Sequence, residues 1–244
     1  MKKWSFPAGE RGVVVPYVET SVDLQLTSPD PEAIMDMLLA VNAYRHANPR
    51  VSINLYIPYL PYGRQDRVTE AGGCHGLQVF AQLLNMCDFN SIHTLDMHSD
   101  VLEGLLKPGI LHNILQHNIW EFKVNQLKAE NADCVLVAPD AGASKKIYKL
   151  SRLTGIPMIE ARKVRDLETG AITATEVTGV LSQDITYIVV DDICDGGATF
   201  IELAKVLPST AKKILCVTHG IFSKGREVLE RHYNEVYTYN DMRK

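Results

Sequence analysis

The sequence lacks the features that mark membrane, secreted or DNA-binding proteins. No stretch approaches the roughly 18 apolar residues that a membrane span needs, and residues 1–7 contain no apolar core of signal-peptide length. With a net charge of −4, the chain has no general basic character for non-specific nucleic-acid binding. The five cysteines form no Cys-x-x-Cys pair, which argues against zinc and favours reduced thiols. We therefore expect a cytoplasmic protein that binds neither membranes nor nucleic acids.

What the sequence does contain is a regular alternation of helix and strand patterns. Asp30-Pro31 is a helix start, and the spacing of the apolar residues after it predicts one buried helix face. Continuous apolar runs at 134–138, 185–190 and 214–217 predict strands that are buried on both faces. This alternation is typical of α/β folds with mostly parallel sheets. We expect two successive α/β units, residues 1–112 and 113–244.

Polar segments follow the predicted strands. They are residues 61–67, 96–98, 139–142, 191–199 and 218–220. Open α/β sheets bind ligands at the carboxyl ends of their strands. These segments are therefore the candidate binding loops.

The most informative segment runs from Ile188 to Thr199. An apolar strand leads into Asp191 and Asp192, then Asp195, and then two glycines before a helix predicted from about Phe200. Adjacent carboxylates at a strand end can accept hydrogen bonds from a vicinal diol, such as the hydroxyls of ribose. A glycine-rich turn exposes backbone N–H groups at a helix N-terminus, where anions bind. The segment therefore predicts a site for a phosphorylated ribose.

This segment resembles the PRPP-binding motif of type I phosphoribosyltransferases, where PRPP is phosphoribosyl diphosphate. Further segments are similar to motifs of one group within that superfamily, the ribose-phosphate diphosphokinases or PRPP synthetases. In chain order they are Phe6–Glu10, Pro58–Arg67, Thr94–Asp100, Ala138–Gly142, Lys163–Arg165 and Thr218–Ser223. The resemblance covers nearly the whole chain. It implies two phosphoribosyltransferase-like units with mostly parallel sheets flanked by helices.

The resemblance also implies a reaction and assigns its residues. The β,γ-diphosphoryl group of ATP passes to the anomeric 1-hydroxyl of ribose 5-phosphate with Mg²⁺, and AMP leaves. For ATP it assigns Phe6, Glu10, Arg64, Gln65, Asp66, Arg67 and His98. For the ribose phosphate it assigns Asp191, Asp192, Asp195, Gly196, Gly197, Ala198 and Thr199. For catalysis it assigns Lys163, Arg165 and His98, and for the metal His98 and Asp140.

Elementary chemistry agrees with several of these assignments. The Arg64 guanidinium can stack on adenine or clamp phosphate, and the Gln65 amide offers donors and an acceptor to a base edge. Lys163 and Arg165 point to the same side if their segment is extended. The Asp140 carboxylate is a good Mg²⁺ ligand, whereas the His98 imidazole is a less usual one.

The chain departs from the family pattern at the phosphate loop. Gly196 replaces a threonine, so the loop loses a hydroxyl donor and gains room. A capped acceptor such as ADP-ribose, and hence a role in NAD metabolism, stays open beside ribose 5-phosphate. In the family, residues near Phe6 and Glu10 enter the site of a neighbouring subunit, so we expect a homodimer or higher homo-oligomer. A phosphoribosyltransferase and a non-catalytic regulatory relative are the remaining alternatives.

Overall fold

The computed structural model describes residues 1–165, 172–179 and 181–243, and side chains within these ranges except those of residues 163–165 and 172–175. The chain divides into two compact units, Met1–Ile114 and Leu115–Lys244. The sequence prediction places the division between residues 112 and 113. No helix formed by the described residues is long and apolar enough to cross a membrane.

The first unit consists of a four-stranded parallel sheet, three helices and a separate hairpin. Its elements are β1 (Lys2–Ser5), β2 (Arg11–Val14), β3 (Ser21–Gln25), α1 (Pro31–Ala47), β4 (Ser52–Ile57), α2 (Gly76–Cys87), β5 (Ser91–Leu95), α3 (Val101–Leu105) and β6 (Leu111–Ile114). The sheet order is β3-β4-β5-β6, and β1 pairs with β2 in antiparallel fashion.

Helix α1 begins as the sequence predicts. The Ala33 N–H donates to Asp30 Oδ1 over 2.8 Å, so Asp30 is the N-cap, and Pro31 occupies the first turn. The apolar face of the helix is buried in the core of this unit. The hairpin was not predicted; it is tied to α1 because Arg11 donates from two nitrogens to the buried Asp36, each over 2.8 Å.

The second unit contains a six-stranded sheet. Its elements are α4 (Gln116–Glu130), β7 (Cys134–Ala138), α5 (Ser144–Thr154), β8 (Met158–Arg165), β9 (Ile172–Val177), β10 (Thr186–Cys194), α6 (Ala198–Val206), β11 (Lys213–Gly220), α7 (Glu227–Glu230) and β12 (Glu235–Asp241). The order is β12-β11-β10-β7-β8-β9, and all neighbours are parallel except β8 and β9. Apolar clusters cover both faces. The predicted α/β class with mostly parallel sheets is confirmed.

Two central strands are longer than predicted, and this difference matters for the site. Strand β10 continues to Cys194 rather than stopping at residue 190, and β11 continues to Gly220. The reason is their mutual parallel pairing, which holds Asp191 opposite Val217 and Cys194 opposite Gly220. The spacing of apolar residues along the chain does not predict which strands pair or how far the pairing extends. Helix α6 also begins two residues before the predicted Phe200.

A buried hydrogen bond joins the end of β11 to helix α4. Trp120 Nε1 donates to Thr218 Oγ1 over 3.0 Å, and both residues are almost wholly buried. An indole N–H is a donor without an alternative acceptor role, so it needs a partner when buried. The bond therefore ties the end of β11, just before the loop that follows Gly220, to α4.

We predict that Thr218→Val lowers the free energy of unfolding of the second unit by about 1–3 kcal/mol, because the near-isosteric change leaves Trp120 without this acceptor. Denaturant unfolding followed by Trp120 fluorescence, in a Trp4→Phe background, measures the loss. Thr218→Ser, which keeps the hydroxyl, is the matched control. Equal unfolding midpoints for the valine and serine variants would contradict the prediction.

Candidate functional site

The two adjacent aspartates lie within strand β10 and are held from several directions. Asp192 is buried, and Lys146 Nζ, on α5, lies 3.3 Å from its Oδ2. The Asp192 backbone N–H donates to Asp191 Oδ1 over 2.9 Å. Because the strand pairs through this stretch, the carboxylates are fixed by a sheet and not by a mobile loop.

The same place carries an excess of negative charge. Burial, and next the charge of Asp192, raise the pKa of Asp191 well above its ordinary value, and the charge of Asp140 adds to the effect. The backbone hydrogen bond from Asp192 and the charge of Lys146 act in the opposite direction. A cluster of this kind suits a ligand that donates hydrogen bonds or carries positive charge.

A glycine turn connects the acids to helix α6. Gly197 is the residue before the helix and has a φ of 78°, in the left-handed region. A Cβ at this position would lie 3.0 Å from Leu229 Cδ2, so both backbone conformation and space favour glycine. The turn places Ala198 and Thr199 at the first positions of α6, which is the end of a helix at which anions bind.

The loop after β11 forms the neighbouring wall of this turn. The N–H groups of Ile221 and Phe222 both donate to the Cys194 carbonyl, over 2.8 Å and 3.2 Å. The Ser223 hydroxyl donates to Asp195 Oδ1 over 2.6 Å. The structure thus brings the Thr-His-Gly-x-Phe-Ser segment against the ribose-phosphate motif. Sequence reasoning gave Ser223 no role, since only the β10–β11 pairing shows that the two loops meet.

Asp140 lies in the loop between β7 and α5. Its Oδ1 accepts from the Ala143 N–H over 3.1 Å, which fixes the carboxylate at the start of α5. Its charge contributes to the raised pKa of Asp191, so the two acids are electrostatic neighbours. Sequence reasoning missed Lys146, which lies six residues after Asp140 on the helix that this loop begins.

The predicted ATP motif lines a cavity of the first unit. The cavity measures about 480 Å³, within the range of small-molecule sites. Its lining residues are Pro29, Tyr59, Tyr62, Arg64 and Gln65. Tyr62 has a φ of 60°, and the Gln65 N–H closes the turn by donating to the Tyr62 carbonyl over 2.8 Å.

Glycine at position 76 explains how Gln65 fits over the start of α2. A Cβ on Gly76 would lie 2.2 Å from Gln65 Oε1, so any other residue here would displace the Gln65 amide from its position. The Leu77 N–H donates to the Gln65 carbonyl over 3.1 Å. The start of α2 therefore contacts Gln65 twice, at its backbone carbonyl and at its side-chain amide.

Asp66 links the ATP motif to the segment around His98. Burial opposes its ionisation, but hydrogen bonds from Ser99 and Arg67, with the charges of Arg67 and His98, lower the pKa of Asp66. Arg67 Nε lies 3.0 Å from Asp66 Oδ1 and is otherwise exposed. His98 is exposed too. Two segments that are more than 30 residues apart in sequence thus meet at one carboxylate.

Phe6 and Glu10 occupy a different place in the first unit. They lie on the β1–β2 hairpin, whose turn is closed by the Phe6 N–H donating to the Glu10 carbonyl over 2.8 Å. With Pro7 and Ala8 they line a second cavity, which shares no residue with the Arg64–Gln65 cavity.

The predicted catalytic pair is described only by its backbone. Lys163 and Arg165 lie on β8, in the antiparallel ribbon with β9, so the expected extended conformation is present. The register shifts between Val164 and Arg165. Their side chains lie outside the described residues.

The donor atoms of the acidic cluster fit Mg²⁺. Carboxylate oxygens are its preferred protein ligands, and it is often held by one or two of them together with substrate phosphates and water. Among the side chains that the structure describes, no three His, Cys, Asp or Glu residues form a group that could hold a metal ion. Asp140 lies in the second unit and His98 in the first, and both stay ligands that only the family resemblance implies.

The fold and the motifs define a two-unit phosphoribosyltransferase-like protein. The model of the N-terminal domain of ribose phosphate pyrophosphokinase matches residues 12–87. The crystal structure of phosphoribosylpyrophosphate synthetase from Mycobacterium smegmatis superposes with a TM-score of 0.81 over 97% of this chain and 78% of that chain, at 22% identity. This likeness establishes the fold.

Sequence relatives establish the family. A ribose-phosphate pyrophosphokinase of Pyrococcus abyssi is 30% identical over 245 residues, which are 96% of this chain and 81% of that protein. That of Thermosipho africanus is 28% identical over 217 residues, 84% of this chain. The chain therefore belongs to the ribose-phosphate pyrophosphokinase family. It spans 64% of the Thermosipho africanus protein and 63% of the Porphyromonas gingivalis one.

The raised pKa of Asp191 leads to a prediction about stability. Because this pKa is higher in the folded chain than in the unfolded chain, the folded protein loses stability as the pH rises through it. Asp191→Asn removes a carboxylate whose ionisation the folded chain disfavours. We expect the ligand-free variant to unfold at a higher temperature than the wild type at neutral pH, and the gain to vanish below about pH 4, where the wild-type carboxyl is protonated in both states.

Thermal unfolding at a series of pH values measures this difference. Asp184→Asn, which removes an exposed carboxylate of the same unit, is the matched control and leaves the profile unchanged. A wild-type stability that stays level or rises between pH 4 and neutrality relative to Asp191→Asn would contradict the buried-charge account.

Proposed function

We infer that the protein is a ribose-phosphate diphosphokinase, which transfers the β,γ-diphosphoryl group of ATP to the 1-hydroxyl of a 5-phosphorylated ribose. One observation carries the proposal: Asp191 and Asp192 are fixed on a paired strand, and a glycine turn into α6 follows within a few residues. A diol and a phosphate on the same sugar match that spacing.

The second unit binds the acceptor in this proposal. The ribose hydroxyls donate to the Asp191 and Asp192 carboxylates, and these hydrogen bonds stabilise the negative charge that burial disfavours there. The 5-phosphate accepts from the backbone N–H groups between Gly196 and Thr199 and gains from the dipole of α6.

The first unit binds the nucleotide. The adenine enters the cavity beside Arg64 and Gln65, and the phosphates extend toward Arg67 and His98. Asp140 and His98 are the proposed ligands of Mg²⁺, which when bound neutralises phosphate charge and orients the transferred group. Cytoplasmic location and self-association remain predictions from the sequence.

The reaction needs positioning and charge stabilisation more than covalent participation by the protein. The acceptor 1-hydroxyl attacks the β-phosphorus, its proton passes to solvent, and the bond to the α–β bridging oxygen breaks to release AMP. Lys163 and Arg165 are proposed to stabilise the charge that develops on these oxygens.

A capped acceptor is the second candidate, and a specific observation favours it. Gly196 has no hydroxyl, and the three atoms nearest to a Cβ added there would be methylene carbons of Lys224, at 3.5 Å or more. A flexible lysine stem therefore lies where a threonine-bearing loop has a fixed side chain, and a bulkier phosphate substituent can displace it. ADP-ribose is such an acceptor.

Release of AMP from ATP, dependent on an added acceptor, tests the proposal. Ribose 5-phosphate and ADP-ribose form the two arms, and mass spectrometry identifies the 1-diphosphorylated product. We expect one arm to support turnover with Mg²⁺, and Lys163→Ala to reduce kcat by about 100-fold with little change in acceptor KM.

Three controls separate the alternatives. Ribose without phosphate supports no turnover, because the α6 turn then has no ligand. Consumption of PRPP with a base, without AMP release, would instead indicate a phosphoribosyltransferase. Binding of both substrates without product in either arm would indicate a regulatory relative and would overturn the proposed activity.

A further inference from the structure

The side chain of Lys224, from the neighbouring loop, lies over Gly196, where the phosphate loop has a glycine in place of a threonine. Three methylene carbons of Lys224, Cγ, Cδ and Cε, lie 3.5–3.6 Å from the point where a Cβ on Gly196 would stand. These distances are ordinary van der Waals contacts. The Lys224 stem therefore packs on the Gly196 backbone, while Lys224 as a residue is exposed.

The loop that presents Lys224 is held in place on both sides. Ser223, the residue before it, donates to Asp195 Oδ1 over 2.6 Å. The Gly225 N–H, just after it, donates to the Phe222 carbonyl over 2.8 Å. Phe222 itself adopts a left-handed φ of 49° and is buried, so the backbone conformation of this turn is fixed by packing. The fold therefore fixes the backbone position from which the Lys224 side chain reaches the glycine turn.

We propose that Lys224 is an acceptor-binding residue, which supplies a cation to the phosphoryl group seated on the Gly196–Thr199 turn and so replaces the missing hydroxyl. This inference rests on the proposed function. The ammonium nitrogen is one bond beyond Cε, so it lies within about 5 Å of the Gly196 Cβ position. A phosphate oxygen bound by the turn is then within its reach.

An ammonium group suits both acceptor classes better than a hydroxyl does. A hydroxyl makes one short hydrogen bond inside the loop, whereas the longer lysine can follow a phosphoryl group that carries a second substituent. The ligand chemistry is in either case a ribosyl 5-phosphoryl group. Both acceptors place a negatively charged phosphoryl group at the turn, and the Lys224 ammonium group provides the opposite charge.

Direct binding measurements test the role without depending on turnover. Calorimetric titration with ribose 5-phosphate and with ADP-ribose gives Kd for the wild type and for Lys224→Met, which keeps the packing stem but loses the charge. We expect Lys224→Met to raise Kd by about 10- to 100-fold for the acceptor that the wild type binds, because a charge-assisted hydrogen bond is lost. The difference shrinks at high ionic strength.

Two further variants make the test specific. Lys205→Met removes an exposed lysine of α6 that pairs with Glu202, and should leave Kd within about twofold of wild type. Gly196→Thr in a Lys224→Ala background restores a hydroxyl where the structure has space for it. We expect it to bind the acceptor about tenfold more tightly than Lys224→Ala alone, since one phosphate donor returns.

The outcomes separate this inference from the function on which it rests. A wild type that binds ribose 5-phosphate or ADP-ribose, with Lys224→Met binding equally well, overturns the role of Lys224 and leaves the proposed function standing. A wild type that binds neither acceptor overturns the proposed function and this inference with it. A weakened Lys224→Met variant with an unaffected Lys205→Met control supports the assignment.

Discussion

The candidate acceptor site depends on one constraint, the parallel pairing of β10 and β11 beyond the point where their apolar runs end. That pairing continues to Cys194 and Gly220. It places two aspartates on a rigid strand, and it brings the loop after β11 onto the loop after β10. The glycine turn, Ser223 and the stem of Lys224 are assembled as a consequence, because each lies within a few residues of the last paired positions.

This arrangement concentrates unfavourable features where a ligand is expected. Asp191 is half-buried beside the buried Asp192, and the charge of Asp140 adds to the repulsion. Left-handed backbone at non-glycine residues occurs, among the described positions, at Tyr62, Asp88, Asp96 and Phe222. Tyr62 and Phe222 lie in motif loops, Asp96 directly follows β5 and precedes His98, and Asp88 is the C-cap of α2. Strain and like charge of this kind persist where function maintains them and where bound ligands offset them.

The sequence predicted the alternation of elements because apolar runs and helical spacing carry that information locally. The capped start of α1 at Asp30 and the strand at 134–138 are both confirmed. Family resemblance, not periodicity, singled out Arg64, Gln65 and Asp140. The true ends of β10 and β11 were missed, because strand pairing is a tertiary interaction that extends a strand through polar residues.

The same reason explains the missed side chains. Lys146 and Lys224 resemble ordinary surface lysines in sequence, and only the packing of α5 and of the 221–225 loop directs them at the acids and at the glycine turn. The sequence does show that Gly196 lacks the hydroxyl that a threonine has at this position of the family pattern. That a lysine covers the vacated position is a property of the fold, which spacing along the chain does not encode.

The most direct test of the account is a crystal structure of the protein with its acceptor bound. We predict that the ribose 2- and 3-hydroxyls lie within hydrogen-bond distance, about 2.5–3.0 Å, of the Asp191 and Asp192 carboxylates, with the 5-phosphoryl group on the backbone N–H groups of residues 196–199. A sugar bound with its hydroxyls away from both aspartates, or a phosphate seated elsewhere, would contradict the central claim.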